Sequence, residues 1–461
     1  MPRSTRNPET RTPDASSLVG AAVGLALVGL LGVLTLLAFR TPGERGFAGG
    51  ADVGPAEPPS SDVSPHPCRL EELGRERPRL GDGRYVYVEP QAVLPDGEGI
   101  LIAGQPTYTA IVDSMGRGSL DTEGGFFGIR IGESRIDLIP LPDGVDRVGW
   151  IRGVTRGPAH WGFLFDRLAP GKAVGAAPLG VAYAELRGGV WDSLEPIPVP
   201  GAELPVGVAT ASLVAADGPS FTLVTTPPGR GRAVSFWARS DARWRETIVW
   251  RPWVDDAVAW AGQGRVRIAL TGLDASFTPR RAAVRTLEIV RPRADRSARR
   301  SPGHPTAAPH RHALGRPGER FHQPVLAGTA RLDLGWLHAT PGAATSAWVR
   351  IGIDRGEGGS PILLEPGSAA LAGFAWDTRT SLWIAHRIDA VAGTGVHSLS
   401  FHLADSAGAR LVGSIPYPFV GPFAATTLPS GDIVVTGAEA HFRPAGSFVR
   451  SLIIRLGIHC P

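Results

Sequence analysis

Two patterns of apolar residues divide the chain. Leu18 to Phe39 is an uninterrupted stretch of 22 residues without a charged side chain. At about 1.5 Å per residue, a helix of this length measures about 33 Å, enough to cross a hydrocarbon core of about 30 Å. From residue 68 onward the apolar residues fall in short runs, rich in β-branched and aromatic side chains and bounded by Gly, Pro and Asp, a pattern typical of strands joined by turns. The sequence therefore predicts one transmembrane helix followed by a large all-β domain.

The apolar stretch is more typical of a retained anchor than of a cleaved signal peptide. The apolar region of a signal peptide runs about 7–15 residues and ends at a small-x-small site, whereas this stretch ends in Leu-Ala-Phe-Arg. Three arginines precede it and two follow it closely, which favours a cytoplasmic N-terminus. We expect a single-pass protein of a bacterial cytoplasmic membrane, with a cytoplasmic tail at 1–17, a span at 18–39 and the large domain in the periplasm or outside the cell.

Small residues occupy one face of this predicted helix. Ser16, Gly20 and Gly24 recur every four residues, a spacing that lets two membrane helices approach closely. Weak self-association through this face is one alternative. The other is a lone helix, because glycine is common in membrane helices in any case.

A Pro- and Gly-rich segment follows the predicted span. Residues 40–67 contain six Pro and five Gly and almost no large apolar side chain. Such a segment cannot bury enough apolar surface to fold. We expect a disordered linker that keeps the large domain close to the membrane.

A phrase made of a turn and an apolar strand recurs along the β region. The segment LPDGEGILIAGQ at 94–105 is similar to the segment LPSGDIVVTGAE at 428–439, near the other end of the chain. Weaker relatives between them begin at Gly157, Ala216, Gly262, Gly328 and Trp376. Repetition of one supersecondary unit is the signature of a fold built from stacked copies.

The spacing of these phrases matches a propeller blade. Gly97 and Gly431 are 334 residues apart, and removal of a polar insert at 291–322 leaves six intervals of about 50 residues each, a typical blade period. We predict a β-propeller of about seven blades over 68–461. Six or eight blades, or another repeated β fold such as an array of sandwiches, are the alternatives.

The strand endings ILIAG and IVVTG resemble the second strand of the blades of kelch-type and galactose-oxidase-like propellers. The resemblance covers residues 84–460 in outline. Where the kelch strand ends in paired glycines, this chain has Gly104-Gln105 and Gly437-Ala438. No copper-ligand or cysteine–tyrosine pattern of that family matches, so the resemblance implies the propeller architecture alone, with no catalytic residue and no cofactor.

The distribution of charge along the chain argues against a nucleic-acid partner. The formal net charge is +4, but residues 291–320 hold eight Arg and two acidic residues, so the rest of the chain sums to −2. No basic face is left that would suggest a nucleic-acid partner.

We expect the insert at 291–322 to be a disordered loop rather than a metal site, since its candidate ligands lack a fixed scaffold. These candidate ligands are His304, His310, His312 and His322.

No common catalytic signature occurs in the chain, and two weaker constellations remain. Trp244, Trp250, Trp253 and Trp260 lie close together in one segment. Packing in strand cores is the favoured interpretation, because tryptophan is a frequent core residue. The alternatives are a platform for a sugar ring, formed by Trp250, Trp253, Asp255 and Asp256, and an interface for a protein partner. A second group approaches through a predicted hairpin: His386, His397, His402 and Asp405. For this group hydrogen-bonded structural histidines are the favoured interpretation, because residues 397 and 402 fall on opposite faces of one strand.

The two cysteines bracket the predicted propeller. Cys68 follows the linker and Cys460 is the penultimate residue, so we predict a disulfide that joins the ends of the ring in an oxidising compartment. We expect the strand RYVYV from Arg84 to complete the sheet formed by residues 421–458.

The fold and the missing signatures favour a binding protein over an enzyme. We expect a non-catalytic binding or scaffold module for an unknown protein or cell-wall glycan, without a metal or cofactor. The alternative is a glycan-active hydrolase or lyase with carboxylates in the propeller funnel, whose catalytic residues the sequence does not identify.

Overall fold

The computed structural model describes residues 68–460, apart from the following segments: 82, 97–98, 113–117, 122–125, 133–135, 146–147, 157–159, 169–179, 199–211, 216–217, 226–232, 241–242, 251–253, 263–264, 275, 291–309, 329–331, 343–345, 354–361, 392–393 and 444–445. The predicted span at 18–39 and the linker at 40–67 lie outside the described residues. Within the part that is described, no helix is long and apolar enough to cross a membrane.

The regular elements of the described residues are β-strands. Those of the first half of the chain are β1 (Arg69–Glu76), β2 (Tyr85–Asp96), β3 (Gly99–Val112), β4 (Gly118–Asp121), β5 (Phe126–Ile131), β6 (Ile136–Pro140), β7 (Val148–Arg156), β8 (Trp161–Arg167), β9 (Gly180–Arg187), β10 (Val190–Ile197), β11 (Ser212–Ala215), β12 (Gly218–Thr225), β13 (Ala233–Ser240) and β14 (Arg243–Trp250). Those of the second half are β15 (Val254–Gly262), β16 (Arg265–Asp274), β17 (Arg281–Val290), β18 (His310–Leu314), β19 (Arg320–Gly328), β20 (Leu332–Ala339), β21 (Ser346–Gly352), β22 (Ile362–Ala375), β23 (Ser381–Val391), β24 (Thr394–Ala404), β25 (Ala409–Pro416), β26 (Phe423–Thr427), β27 (Ile433–Arg443) and β28 (Gly446–His459).

Consecutive strands pair into antiparallel sheets, most of which have four or five strands. Three sheets have four strands in chain order: β7 to β10, β11 to β14, and β15 to β18. The first sheet joins β2, β3, β5 and β6, with β4 paired to β3. A seven-stranded sheet runs from β19 to β25, and the long strand β22 is shared between its halves, because residues up to Ser368 pair with β21 and residues from Ser368 onward pair with β23.

The first strands of these units contact one another in a closed ring. Contacts run from β2 to β7, β11, β15, β19, β22 and β26 in turn, and β26 returns to β2. Sheets that radiate from a ring of inner strands define a propeller, in which each sheet buries its faces against its two neighbours. The architecture is therefore all-β and propeller-like.

The apolar core lies between neighbouring sheets. Leu101 and Ile139 of the first sheet pack with Phe163 and Phe165 of the second. Leu399 and Phe401 of the seven-stranded sheet pack in the same way with the sheet of β26 to β28. This layered burial explains why the strands need apolar residues on both faces.

Every recurring phrase of the sequence supplies the second strand of a unit. The seven phrases lead into β3, β8, β12, β16, β20, β23 and β27 in order. The prediction that they are equivalent turn-and-strand elements is confirmed.

The prediction of a disordered insert over 291–322 is wrong for its second half. Residues 310–314 form β18, which pairs with β17, and β19 begins at Arg320. The third strand of the unit has an open edge, and β18 pairs with it. Charged side chains suit such an outer strand because they discourage pairing with other molecules. The first half of the insert, 291–309, lies outside the described residues.

The ends of the chain meet in the last sheet. Cys68 and Cys460 form the predicted disulfide, and β1 pairs antiparallel with β28, with Arg69 opposite His459. The expectation that RYVYV completes this sheet is wrong, because that segment begins β2, the inner strand of the first unit. β1 lies closer to Cys68 and occupies the outer edge instead.

Candidate functional site

The predicted tryptophan and aspartate platform is only partly described. Trp253 and the side chain of Trp250 lie outside the described residues. Asp255 and Asp256 lie at the start of β15, where Asp255 is exposed and the Asp256 carboxylate accepts a hydrogen bond from the Ala257 amide at 2.8 Å. The platform stays a prediction.

Two other tryptophans of the same segment belong to separate cores. Trp244 is buried, with its ring edge against Tyr183, 5.3 Å between centroids. Trp260 packs in the core beneath β19 and β20 and donates its indole N–H to the Gly328 carbonyl at 3.1 Å. For these two residues the structure supports core packing.

The histidine group divides as the strand faces predict. His386 on β23 and His397 on β24 lie on the same face of one hairpin, with Nε2 of His386 3.0 Å from Nδ1 of His397. His402 is buried against Trp348, at 4.8 Å between ring centroids. Asp405 instead accepts a hydrogen bond from the Ala407 amide of its own turn at 2.7 Å.

A third aromatic group reaches the histidine pair from the connection between β25 and β26. Antiparallel strands alternate in direction. The turn after β23 and the connection after β25 therefore lie at the same end of the strands. Tyr417 follows β25 directly, and its amide donates to the His397 carbonyl at 2.9 Å. The phenol ring lies parallel to the His386 imidazole, with centroids 3.7 Å apart.

These side chains line an open cleft of about 550 Å³, hereafter the Tyr417 cleft. Phe419 is buried and Val420 is 56% exposed. The full lining consists of Ala370, His386, His397, Tyr417, Phe419, Val420, Gly421 and Pro422. The volume falls in the range of small-molecule sites, about 300–1,000 Å³.

The lining carries no carboxylate, Lys or Arg. Burial, and next the charge of His397, lower the pKa of His386 to about 4, so this imidazole is neutral at pH 7. Burial also raises the pKa of Tyr417 to about 12, and its hydroxyl donates to the Gly421 carbonyl. The cleft can therefore stack on and hydrogen-bond to an uncharged ligand, but it lacks the pair of carboxyl groups used in glycoside hydrolysis.

Sequence analysis missed Tyr417 and Phe419. Both lie in the segment IPYPFVGPF at 415–423, where Pro and Gly interrupt the strand pattern while the aromatic residues continue. Aromatic side chains that lie in a connection between repeats, rather than in a strand, could have indicated a binding site.

One carboxyl group in the inner ring is perturbed. Glu89 lies on β2 where the pairing with β3 is irregular, between Val88 and Pro90. Its side chain is half-buried, and burial raises the pKa of this carboxyl above its ordinary value. A carboxyl of this kind can hold a proton at higher pH than usual, which is the property of a general acid.

Comparison with known proteins identifies no family. No protein-family model matches the chain, and no curated protein matches it.

Solved structures align with this chain at low similarity. A protein of unknown function from Dyadobacter fermentans is 11% identical with a TM-score of 0.43, over 85% of this chain and 99% of that one. The SapL1 lectin in complex with alpha methyl fucoside is 14% identical with a TM-score of 0.35, over 72% and 97%. A thermostable family-43 glycoside hydrolase is 11% identical with a TM-score of 0.34, over 61% and 99%. At these values no ligand or activity is carried over to this chain.

Proposed function

We propose that this protein is a membrane-tethered, extracytoplasmic, seven-bladed β-propeller that binds an uncharged cell-wall or surface glycan in the Tyr417 cleft without altering it. The supporting observation is the cleft itself: an open, aromatic site with two imidazoles at its wall and no carboxylate, Lys or Arg among its lining residues. The seven inner strands that contact in a ring support the blade number.

The chemistry of the cleft suits a sugar. A sugar ring has an apolar face of C–H groups and a rim of hydroxyls, so it binds where aromatic or aliphatic surface lies beside hydrogen-bonding groups. Tyr417, Val420 and Pro422 supply the apolar surface, and the exposed imidazole of His397 supplies a donor or acceptor at the rim. A charged sugar would find no partner of opposite sign among the lining residues.

The location is proposed from two independent features. The disulfide between Cys68 and Cys460 is typical of an oxidising compartment, since cytoplasmic thiols are usually kept reduced. The apolar stretch at 18–39 would anchor the chain in the cytoplasmic membrane with the propeller outside.

The test is glycan binding by the full-length protein in detergent, first on an array and then by calorimetry on any glycan that is retained. Removal of the aromatic ring by Tyr417→Ala should weaken binding at least tenfold, and His397→Ala should weaken it by a similar factor. Tyr417→Phe keeps the ring and should stay within about threefold. Phe277→Ala, on the turn between β16 and β17, is the matched aromatic control and should bind like the wild type. Unchanged binding in Tyr417→Ala, or retention of charged glycans alone, would contradict the proposal.

The second candidate is a glycan-active enzyme, and Glu89 is the observation that favours it. The raised pKa of this carboxyl on an inner strand suits a proton donor to a leaving group. Incubation of each bound glycan with the protein, followed by product analysis, tests this candidate. Hydrolysis that is lost in Glu89→Gln while binding persists would favour the enzyme; intact glycans with the wild type would exclude it for those ligands.

A further inference from the structure

Arginine side chains gather on the sheet of β15 to β18, where the second half of the predicted insert is folded. They come from β17, from β18 and from the segments beside these strands, and form what is hereafter the arginine patch: Arg280, Arg281, Arg285, Arg311 and Arg316. Among the described residues, the carboxylates of Asp274 and Glu319 contact this group. Five positive charges against two negative ones leave a net charge of +3.

Pairing of β18 with β17 places two of these charges side by side. Arg311 lies directly opposite Arg285, and both guanidinium groups contact the carboxylate of Asp274, Arg311 at 3.3 Å. Burial alone would raise the pKa of Asp274, but hydrogen bonds from Ser276 and the charge of Arg285 lower it to about 2. This carboxylate is therefore ionised at neutral pH, and it can neutralise only one of the two arginines.

The connection after β18 adds further charge at the end of the strands. Arg281 donates from Nε to the Gly315 carbonyl at 2.6 Å, and the Gly315 amide donates to the Ala282 carbonyl at 2.7 Å. These bonds hold the connection against β17, so that Arg316 follows beside Arg281. The side chains of Arg280 and Arg316 are exposed.

An aromatic ring holds two of the guanidinium groups. Arg281 and Arg311 lie over the Phe277 ring, with Cζ at 5.2 and 5.9 Å from its centroid. Contacts of this kind attract a guanidinium, which is weakly hydrated and planar. Arg311 nevertheless remains 47% exposed. A guanidinium that is held in place and still open to solvent is ready to bind a carboxylate or phosphate with two hydrogen bonds.

We propose that the arginine patch binds an acidic polysaccharide of the cell surface. Arg281 and Arg285 are four positions apart on β17, which is about 13 Å at about 3.3 Å per residue. Charges spread over this length match the repeated anionic groups of a polymer better than one small anion. The patch belongs to other sheets than the Tyr417 cleft, so this inference goes beyond the binding of an uncharged glycan and does not depend on it.

The position of the patch favours a glycan over an anionic membrane. The sheets of β15 to β18 and of β26 to β28 repeat the same strand order, so the turn between β16 and β17 lies at the same face of the ring as the turn between β27 and β28. Cys68 and Cys460 lie at the opposite end of β28. The chain therefore enters the propeller at the face away from the patch. The disulfide is typical of an oxidising compartment, which argues against nucleic acid.

The experiment is a calorimetric titration of the full-length protein in detergent with hexagalacturonate, and with its methyl ester as the uncharged matched ligand. We expect the acid to bind, and its affinity to fall as the salt concentration rises. Arg311→Gln and Arg316→Gln should each weaken this binding at least threefold, and the double variant at least tenfold. Arg311→Lys keeps the charge without the planar fork, so its affinity should lie between those of the wild type and Arg311→Gln.

Arg69→Gln is the matched control. Arg69 is also exposed and also contacts one carboxylate at 3.3 Å, that of Glu71, but it follows Cys68 at the other face, so this variant should bind hexagalacturonate like the wild type. Tyr417→Ala should bind it like the wild type as well, which keeps a failure of the uncharged-glycan proposal distinguishable from a failure of this one. The midpoint of thermal unfolding checks that each variant is folded.

Four outcomes would overturn the proposal. The first is that hexagalacturonate does not bind, and the second is that its binding is unchanged in the double variant of Arg311 and Arg316. The third is binding of the methyl ester that is lost in the double variant, because the patch would then recognise something other than charge. The fourth is tighter binding, dependent on the same two arginines, to phosphatidylglycerol vesicles or to duplex DNA, which would identify a lipid or nucleic-acid surface instead.

Discussion

The imidazole of His386 lies parallel to the phenol of Tyr417, with 3.7 Å between the ring centroids and 7° between the planes. The phenol also meets the edges of Phe419 and Phe423, at 5.4 and 6.4 Å. A single ring thus joins the hairpin of β23 and β24 to the connection that enters the last sheet. Offset and edge contacts of this kind add to the stability gained by burial.

Loss of this ring should destabilise the domain. Tyr417→Ala leaves a cavity between the hairpin and the connection, and we expect the free energy of unfolding to fall by about 2 kcal/mol, less than for a fully buried ring. Tyr417→Phe keeps the stacking and should cost under about 1 kcal/mol. Denaturant unfolding followed by tryptophan fluorescence measures both. Equal losses in the two variants would show that the hydroxyl, rather than the stacked ring, stabilises this junction.

Gly335 should tolerate no side chain. A Cβ at this position would lie 2.5 Å from the Trp383 ring, which is fully buried. Gly335→Ala should therefore lower the free energy of unfolding by about 1–3 kcal/mol through overpacking. The control is Gly180→Ala, where no atom lies within 4 Å of the added carbon. In a Trp383→Phe background the same substitution should cost less, and an equal cost in both backgrounds would contradict the proposed clash.

The disulfide should contribute strongly to stability. Cys68 and Cys460 are 392 residues apart, and on the chain-entropy model a loop of this length contributes at most about 6 kcal/mol. The unreduced, denatured protein should take up no alkyl group by mass spectrometry, and two after reduction. Cys68→Ser should lower the midpoint of thermal unfolding by several degrees relative to the oxidised wild type. Alkylation without reductant would refute the bond.

Glu439 should contribute stability that is lost in acid. Arg77 first, and then Arg450, hold the pKa of this carboxyl at about 2, below its ordinary 4.5, through hydrogen bonds of 2.8–2.9 Å. Because the folded pKa is depressed, the stabilisation is complete above about 4.5 and disappears as the pH falls towards 2. The free energy of unfolding of Glu439→Gln should lie below that of the wild type at pH 6, and the two should converge near pH 2. Glu71→Gln, in an exposed pair with Arg69, should follow the wild type throughout.

Membrane topology is open to a direct test. We expect protease added to intact spheroplasts to digest the large domain and leave a membrane-bound stub containing residues 18–39. An epitope placed in 1–17 should remain protected until the membrane is permeabilised. Complete protection of the large domain would contradict the proposed orientation.

The repeated β architecture could be predicted from the sequence because it depends on local patterns of turn residues and apolar residues. Each phrase such as LPDGEGILIAGQ or LPSGDIVVTGAE combines turn residues with an apolar run, and both depend on neighbours in the chain. The spacing of the phrases then implied stacked units, and the positions of Cys68 and Cys460 implied that the ends meet.

The tertiary structure alone decided which residues form the cleft and which strand completes the ring. His386 and Tyr417 are 31 positions apart, and their stacking depends on the path of the connection between two sheets, which no local periodicity records. β1 and β18 were not predicted from the sequence either. An outer strand pairs with only one neighbour and tolerates charged side chains, so it lacks the apolar pattern that identifies inner strands. Local patterns determine strands and turns, whereas the meeting of distant side chains is set by how whole sheets pack, since packing depends on the shape of every neighbour at once.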